Sequence, residues 1–294
     1  MSEGLQDHLL SAIQASLKAG QAILDIYDSD FAVQMKGDRT PLTLADERSH
    51  AILSRGLGTS GIPILSEEGK DIPYEERRGW NRLWIVDPLD GTKEFIKKNG
   101  EFTVNIALVE GSQPVLGVIH APAMGLLYFA AQGLGSFKLS RVEEIRGLDG
   151  ISLKEIISHS LRLPLSSSPP RLVPAMTHKR DEPNKPDERD ERHKRVIIIG
   201  SRSHATPELA AYVEEKRREY GEVEFISAGS SLKFCLVAEG SADIYPRLGP
   251  TMEWDTAAGQ AIAENAGREV LVWQTGGRLR YNRDELLNPW FVVR

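Results

Sequence analysis

The chain has 294 residues, of which 40% are hydrophobic, so it is long enough for one large domain or two smaller ones with a real core. Its formal net charge of −6 argues against general binding of duplex DNA, because that function needs a basic protein face. Cys235 is the single cysteine, which excludes an internal disulfide and is typical of a reducing compartment, and no apolar run approaches the ~20 residues that cross a bilayer.

The N-terminal part of the chain predicts a helix, a strand and a second helix. Residues 1–10 are polar and acidic, which is not the composition of a signal peptide. Apolar residues at helical spacing predict an amphipathic helix over the first ~25 residues; they are Leu10, Ile13, Leu17 and Leu24. The alternation of Phe31, Val33 and Met35 predicts a short strand, and a helix is expected from about Thr43 to Leu57.

Apolar runs then predict a series of strands. The first two runs are Ile62–Leu65 and Leu83–Val86. Three more follow at Val104–Val109, Val115–His120 and Leu127–Ala131. Because short turns join these last three runs, we expect them to form an antiparallel meander.

The segment from Trp84 to Thr92 reads WIVDPLDGT and is the most informative part of the chain. Pro88 cannot continue a strand ladder, so we expect the strand to end in a sharp turn that aims Asp87 and Asp90 at one point. Two ionised carboxylates at such a short distance repel each other unless a cation lies between them. The residues after Gly91 can open a helix, whose first N–H groups would bind an anion. Adjacent cation and anion sites indicate metal-assisted phosphate chemistry.

The composition changes between residues 150 and 195, and the chain is expected to divide there. Residues 1–149 are predicted to form an N-terminal α+β metal-binding domain. Residues 150–195 are rich in Ser, Pro and charges of both signs, which predicts a mobile charged insertion. The alternative for this segment is a lid over the active site. Residues 196–294 are expected to form a C-terminal α/β substrate domain.

Strand and helix patterns alternate in this last part. Strands are expected at Val196–Ile199, Val223–Ile226 and Ala242–Tyr245, and helices at Pro207–Tyr220, Leu232–Glu239 and Thr256–Ala266. In the sequence WDTAAG, Asp255 lies at the first turn of the last helix. By itself, such an acid is most simply an N-cap, worth ~1 kcal/mol.

Four acids nevertheless share one context, because each lies at the end of an element beside apolar sequence: Glu67, Asp87, Asp90 and Asp255. Alone, Glu67 in Ser66-Glu67-Glu68 is more simply a solvated turn residue, and Asp46 near the start of its helix has the same ambiguity as Asp255. Together, hard oxygen ligands of this type suit Mg²⁺. A zinc site is not expected, because no Cys/His cluster has ligand spacing.

Three segments in this order and spacing resemble the inositol monophosphatase superfamily of Mg²⁺-dependent, lithium-sensitive phosphatases; they are Ser66–Glu68, Trp84–Thr92 and Trp254–Gly259. Further segments are similar to the branch of bacterial 3'(2'),5'-bisphosphate nucleotidases: Thr92–Phe95, Gly229–Gly240 and Tyr245–Arg247. The resemblance covers about residues 1–140 and 196–294. It implies an α/β (α+β) layered sandwich of the inositol monophosphatase and fructose-1,6-bisphosphatase type, in which layers of helices and sheets alternate.

The resemblance also implies roles for individual residues. Two or three Mg²⁺ would be held by four acids and one carbonyl oxygen: Glu67, Asp87, Asp90, Asp255 and Leu89. Asp46 and Thr92 would act as the catalytic pair that positions and deprotonates the attacking water. Substrate would be bound by the residues around these ions and by a second group, namely Glu67, Leu89, Asp90, Gly91, Thr92, His204, Ser230, Lys233, Arg247 and Asp255. Glu68 would lie next to the metal ligands without binding a metal ion itself. Lys36 matches a lysine that lies on a mobile loop in relatives.

The function expected from the resemblance is removal of the 3'-phosphate of adenosine 3',5'-bisphosphate, within sulfur metabolism. The alternatives are an inositol monophosphatase or fructose-1,6-bisphosphatase activity on the same site, and a catalytically silent scaffold or nucleic-acid-associated regulator on this fold. Intact acids at all four positions argue against the silent scaffold. The expected partner is the small nucleotide alone, with no nucleic acid and no transmembrane segment. The protein is expected as a monomer or homodimer in the cytoplasm, free or peripheral at the inner membrane.

Overall fold

The computed structural model describes residues 3–29, 40–142, 150–164, 195–201 and 206–294. Its helices are α1 (Glu3–Tyr27), α2 (Pro41–Gly58), α3 (Tyr74–Arg77), α4 (Thr92–Ile96), α5 (Leu153–Ser158), α6 (Pro207–Tyr220), α7 (Leu232–Glu239) and α8 (Glu253–Asn265). Its strands are β1 (Ile64–Ser66), β2 (Arg82–Asp90), β3 (Thr103–Glu110), β4 (Gln113–Ala121), β5 (Leu126–Ala131), β6 (Gly135–Ser140), β7 (Leu161–Leu163), β8 (Arg195–Ser201), β9 (Glu222–Ala228), β10 (Tyr245–Arg247), β11 (Val270–Val272) and β12 (Phe291–Val293). The strand predicted at Phe31–Met35 lies outside the described residues.

One sheet contains strands β1 to β7 in sequence order. The predicted antiparallel meander of β3, β4 and β5 is confirmed. The pairing of β1 with β2 is parallel, whereas every later pair in this sheet is antiparallel. The carboxyl ends of β1 and β2 therefore lie side by side at one edge of the sheet.

The two faces of this sheet are both apolar, as expected for a sheet with helices on both sides. Because successive side chains alternate between faces, Trp84 and Val86 pack with α1 and α2, whereas Leu83 and Ile85 pack with α7 and α8. The C-terminal strands form a further layer, with β8 parallel to β9 and β12 between β10 and β11. Helix α6 packs on this layer through Leu209 and Val213. The predicted fold class, a layered sandwich of helices and sheets, is confirmed.

Helix α8 approaches the large sheet closely because small residues lie at the contact. A Cβ atom added to Gly117 of β4 would lie 2.4 Å from the carbonyl oxygen of Ala258 in α8. On the opposite side, a Cβ added to Gly259 would lie 2.4 Å from the Phe234 ring of α7. The helix is thus held between the sheet and α7, which fixes the position of its N-terminus.

Strand β2 does not end at Pro88 as the sequence predicted. It continues to Asp90, and its pairing with β3 shifts between Asp87, opposite Asn105, and Asp90, opposite Thr103. Three steps along β2 match two along β3, so the shift is a β-bulge that accommodates the proline, which has no N–H for the ladder. The bulge, rather than a turn, aims the two aspartates.

The boundaries around the predicted insertion also differ in detail. Residues 150–164 form α5, with a capping box at Ser152, and β7, which adds to the edge of the large sheet. Ile156 and Leu163 are buried there. Most of the charged run that starts at His178 lies outside the described residues, and the division into domains at 149 and 196 stays a prediction. In the described part of the chain, no helix is long and apolar enough to cross a membrane.

Candidate metal and phosphate site

Three carboxylates from distant parts of the chain meet at the edge where β1 and β2 end. Glu67 directly follows β1 and donates its backbone N–H to the carbonyl of Val86 at 3.2 Å, so it lies beside Asp87 of the parallel neighbour. Asp255 reaches the same place from the first turn of α8. Each of Glu67, Asp87 and Asp255 offers a carboxylate oxygen within 4.8 Å of those of the other two.

Asp90 lies next to this trio on the far side of the bulge. Its Oδ2 atom accepts a hydrogen bond from the Ser231 hydroxyl at 2.9 Å. Its charge raises the pKa of Glu67, Asp87 and Asp255. All four predicted acids are therefore neighbours, although only three of them share the tightest cluster.

Burial raises the pKa of all four carboxyls, and repulsion from neighbouring acids adds to this shift for Glu67, Asp87 and Asp255. The pKa of Asp87 lies well above its usual range because the side chain is fully buried and faces the other acids. Burial and the charge of Asp90 raise the pKa of Asp255 to about 7. Burial also raises the pKa of Asp90, but the nearby Lys233 and hydrogen bonds from Ser231 and Asn105 oppose that shift.

This arrangement fits a hard divalent cation. Asp87 Oδ1 accepts the backbone N–H of Leu89 at 3.0 Å, whereas Oδ2 is buried and has no hydrogen-bond partner among the described residues. A buried carboxylate oxygen without a partner is costly, and a cation coordinated by it and by the oxygens of Glu67 and Asp255 would satisfy it. The all-oxygen donor set is the type that Mg²⁺ uses.

Asp46 of α2 belongs to the same electrostatic group. Burial, followed by the charges of Glu68 and Glu67, raises the pKa of Asp46 to about 7. The predicted partner of Asp46 is Thr92, which lines the cavity beside the acids. Their joint role stays a prediction.

A cavity that is open to solvent adjoins the acids, and Asp90 and Asp255 line it. Its walls come from the start of α4, the turn before α7, β10 and the start of α8, and they include Asp90, Gly91, Thr92, Lys93, Ser230, Lys233, Tyr245, Arg247 and Asp255. Most of the predicted substrate residues thus line one cavity. His204 lies outside the described residues, and so does Lys36.

Two of the residues that line this cavity have unusual backbone angles. Gly91 has a φ of 100°, and an added Cβ would lie 3.3 Å from the Cβ of Ser230, so this position requires glycine. Ser230 has a φ of 44°, which is uncommon for a residue with a side chain. Its buried hydroxyl has no partner among the described residues. An uncommon backbone conformation beside a cavity is typical of a functional site.

The cationic residues Lys233 and Arg247 also line this cavity. Lys233 is only 5% exposed, and its amine donates to the carbonyl oxygens of Ser230 and Ala228. Burial lowers the pKa of Lys233 to about 8, although the charge of Asp90 opposes the shift. Arg247 donates to the carbonyl of Pro250 at 2.7 Å, and its buried Nε has no partner among the described residues. Lys233 therefore also supports the Ser230 turn, whereas Arg247 retains an unused donor.

The sequence did not identify the residues that support the acids. Thr103 and Asn105 of β3 and Ser231 before α7 form a buried hydrogen-bonded group beneath Asp90. Glu101 accepts the backbone N–H of Gly229 at 2.8 Å and so joins the loop before β3 to the Ser230 turn. The one available signal was the pair of polar residues, Thr103 and Asn105, in an otherwise apolar strand.

The chain is similar to known proteins over almost its whole length. The model of the inositol monophosphatase family matches residues 5–290. The chain is 42% identical over 292 residues to the 3'(2'),5'-bisphosphate nucleotidase CysQ of Shigella flexneri, a match that covers 95% of this chain and 96% of that protein. It is 48% identical, with a TM-score of 0.84, to the crystal structure of CysQ from Bacteroides thetaiotaomicron, a bacterial member of the inositol monophosphatase family, and the match covers 98% of this chain and 97% of that one. The suhB protein of Bartonella henselae shares the fold at 22% identity and a TM-score of 0.64, with 98% of this chain and 93% of that one covered.

Proposed function

This chain belongs to the inositol monophosphatase family, and from that premise we propose that it is a Mg²⁺-dependent 3'(2'),5'-bisphosphate nucleotidase. Its substrate would be adenosine 3',5'-bisphosphate, and its products AMP and inorganic phosphate. The relatives that carry this activity in their names are similar to it over 95% of its length or more.

The observation that carries the proposal is the carboxylate trio beside a cationic cavity. Glu67, Asp87 and Asp255 approach one another within 4.8 Å, and Asp87 holds an oxygen that no described residue satisfies. The residues that line the adjoining cavity include the cationic Lys233 and Arg247. A substrate with two phosphates needs two anion sites, and the acids with their ions would form one while these cations form the other.

Two or three Mg²⁺ would be held by the trio, Asp90 and the carbonyl oxygen of Leu89. Bound there, the ions would act as Lewis acids that make water more acidic and neutralise charge on phosphate and leaving oxygens. Asp46, whose pKa lies near neutrality in the metal-free fold, would accept the proton of the attacking water with the help of Thr92.

The remaining contacts would orient the substrate. Backbone N–H groups after Gly91, at the start of α4, would bind the phosphate that is removed, because the first N–H groups of a helix have no partner within it. Arg247 would donate to the second phosphate through its planar fork, and the Ser230 hydroxyl would bind the nucleoside. Lys233 would add positive charge to the cavity in which the substrate phosphate binds.

The test is a comparison of phosphate release from adenosine 3',5'-bisphosphate, inositol 1-phosphate and fructose 1,6-bisphosphate, each with Mg²⁺ and with a chelator. We expect the highest kcat/KM for the nucleotide and no turnover without Mg²⁺. A preference for inositol 1-phosphate or fructose 1,6-bisphosphate would reject the substrate, and an absence of turnover on all three would favour the silent scaffold.

The Asp90→Asn variant tests the metal assignment, because it keeps the shape of the side chain and removes its charge. We expect turnover to be nearly abolished while the far-UV circular dichroism spectrum stays unchanged. Normal activity in this variant would contradict the assignment of Asp90 as a ligand.

The family resemblance supports two additional proposals. Lithium should inhibit turnover, which is checked by titrating Li⁺ at fixed Mg²⁺ with Na⁺ as the control ion. A role in sulfur metabolism would follow from the substrate, and it is tested by deleting the gene and measuring growth on sulfate against growth on cysteine.

A further inference from the structure

The hydroxyl of Ser231 joins three elements directly beneath the acids. Its Oγ lies 2.9 Å from Asp90 Oδ2 in β2 and 2.7 Å from the backbone carbonyl oxygen of Asp255 in α8. It also lies 2.9 Å from Asn105 Nδ2 in β3. One side chain therefore links two of the proposed metal-binding residues to the strand below them.

The donors in this group follow one direction. The Thr103 hydroxyl donates to Asn105 Oδ1 at 3.0 Å, and the Asn105 amide nitrogen donates to the Ser231 hydroxyl. Because Asn105 Nδ2 can only donate, the single proton of Ser231 is free to serve Asp90 Oδ2 or the carbonyl of Asp255, both of which can only accept. The chain Thr103–Asn105–Ser231 thus ends on the two proposed ligand residues.

The three side chains of this hydrogen-bonded group are buried. Thr103, Asn105 and Ser231 are 0%, 1% and 3% exposed. Hydrogen bonds in such a low-dielectric interior are stronger than in water, and a broken member leaves a buried group without a partner. Thr103 and Asn105 are also the residues opposite Asp90 and Asp87 across the β-bulge, so the chain lies where β2 departs from regular pairing.

We propose that Thr103, Asn105 and Ser231 are positioning residues that hold Asp90 toward the acid cluster and so set the affinity for Mg²⁺. The physical need follows from the charges: the charge of Asp90 acts on Glu67, Asp87 and Asp255, and repulsion would push its carboxylate away from them before a cation arrives. The hydrogen bond from the Ser231 hydroxyl keeps it in place, and the amide of Asn105 holds that hydroxyl. The inference rests on the proposed function, because it concerns the same metal site.

A direct role in substrate binding is the competing explanation, since Ser231 borders the cavity. The two roles differ in what they change. A positioning residue acts on Mg²⁺ affinity in the absence of nucleotide. A substrate contact acts on the KM for the nucleotide when Mg²⁺ is saturating.

The experiment compares Ser231→Ala, Ser231→Thr and Asn105→Ser with the wild type. Ser136→Ala is the matched control, because Ser136 is also a buried serine and donates to a carbonyl of α8, that of Ile262, at 2.6 Å, but at the end of the helix remote from Asp255. Mg²⁺ binding is measured by titration calorimetry without nucleotide, and kinetic constants are then measured over a range of Mg²⁺ concentrations.

Loss of a residue that supports a metal ligand typically weakens metal binding roughly 10- to 100-fold. We expect Ser231→Ala and Asn105→Ser to show losses of this size, with kcat largely restored at saturating Mg²⁺ and the nucleotide KM unchanged. Ser231→Thr, which keeps the hydroxyl, should recover most of the affinity, and Ser136→Ala should bind Mg²⁺ as the wild type does. If Ser231→Ala does not fold, Asn105→Ser, which leaves Ser231 in place, decides the question.

The double variant Asn105→Ser/Ser231→Ala tests whether the residues act as one chain. If they do, the double variant should lose no more Mg²⁺ affinity than the single variant that binds Mg²⁺ more weakly. Additive losses would contradict the proposal that the residues act as one hydrogen-bonded chain. Wild-type Mg²⁺ affinity in the single variants, or a raised nucleotide KM at saturating Mg²⁺, would overturn the positioning role. A wild type that binds no Mg²⁺ would instead reject the proposed function itself.

Discussion

Asp87 combines features that stability alone would not favour. It is buried, it faces other carboxylates, and one of its oxygens has no partner among the described residues. Burying such a charge weakens the fold unless a cation compensates it. A residue of this type is expected to destabilise the metal-free protein and to bind a metal ion.

Asp87→Asn should therefore raise the melting temperature of the metal-free protein and abolish the gain that Mg²⁺ produces. Each kcal/mol of relieved repulsion corresponds to about 2–4 °C for a domain of 150–250 residues. Turnover should fall by more than ~100-fold, because Lewis-acid stabilisation contributes several kcal/mol. Thermal unfolding with chelator and with Mg²⁺ provides the measurement.

Asp243→Asn is the control for that variant, because Asp243 is also a partly buried aspartate with a raised pKa, but its Oδ2 accepts the backbone N–H of Ile197 at 2.7 Å. Removing this charge should leave both the gain in melting temperature that Mg²⁺ produces and the activity unchanged. A metal-free Asp87→Asn protein that melts below the wild type would show that Asp87 stabilises the fold.

At the level of single residues, the acids were predictable and their supports were not. Glu67, Asp87 and Asp255 each follow or open an apolar element, and that local pattern is visible in the sequence. Ser231 and Asn105 are 126 positions apart, and no local pattern predicts their contact. The resemblance implied that Lys233 binds substrate, but only the structure shows that its amine also donates to two backbone carbonyls.

At the level of elements, the position of α8 depends on Gly117. Its missing Cβ leaves room for the backbone of Ala258, one turn after Asp255. The closeness of helix and sheet at this point fixes how far Asp255 reaches toward Glu67 and Asp87.

Gly117→Ala should therefore displace α8, which costs ~1–3 kcal/mol of unfolding free energy by overpacking. The displacement should also weaken Mg²⁺ binding, because Asp255 moves with the helix. Urea unfolding and Mg²⁺ titration measure the two effects. Gly58→Ala is the control, because an added Cβ there meets no atom within 4 Å. Equal stability of the two variants would contradict the close packing.

Element boundaries followed the sequence where local signals agreed. Helices α6 and α7 have the predicted bounds, because Thr206 caps α6 and Gly240 ends α7. Strand β10 begins at Tyr245 instead of Ala242, since its extent depends on pairing with β12. Strand β7 was missed because the surrounding segment has the composition of a linker, and its place at the sheet edge is a tertiary effect.

At the level of the whole molecule, the acids couple stability to pH. In the metal-free fold the pKa of Asp46 and that of Asp255 are both raised to about 7, from an ordinary aspartate value of 3.8. The folded protein thus binds protons more tightly than the unfolded chain. Their contribution to stability is complete below a pH of about 4 and is lost as the pH rises through about 7.

Because Mg²⁺ replaces these protons, its stabilising effect should grow from a pH of about 5 to about 8, and its binding at a pH of about 6 should release protons. Melting temperatures with chelator and with Mg²⁺, and calorimetry in buffers of different ionisation enthalpy, provide the measurements. A variant with both Asp46→Asn and Asp255→Asn should show a flatter pH profile without metal. A Mg²⁺ effect that is constant across this range would contradict the coupling.

The parallel pairing of β1 with β2 places Glu67 beside Asp87 early in the chain, but Asp255 arrives only with α8, after most of the protein has left the ribosome. Until then the nascent chain carries a concentrated patch of negative charge with an incomplete set of ligands. The cation should therefore bind when α8 docks, and its binding would be the last step that stabilises the newly synthesised fold.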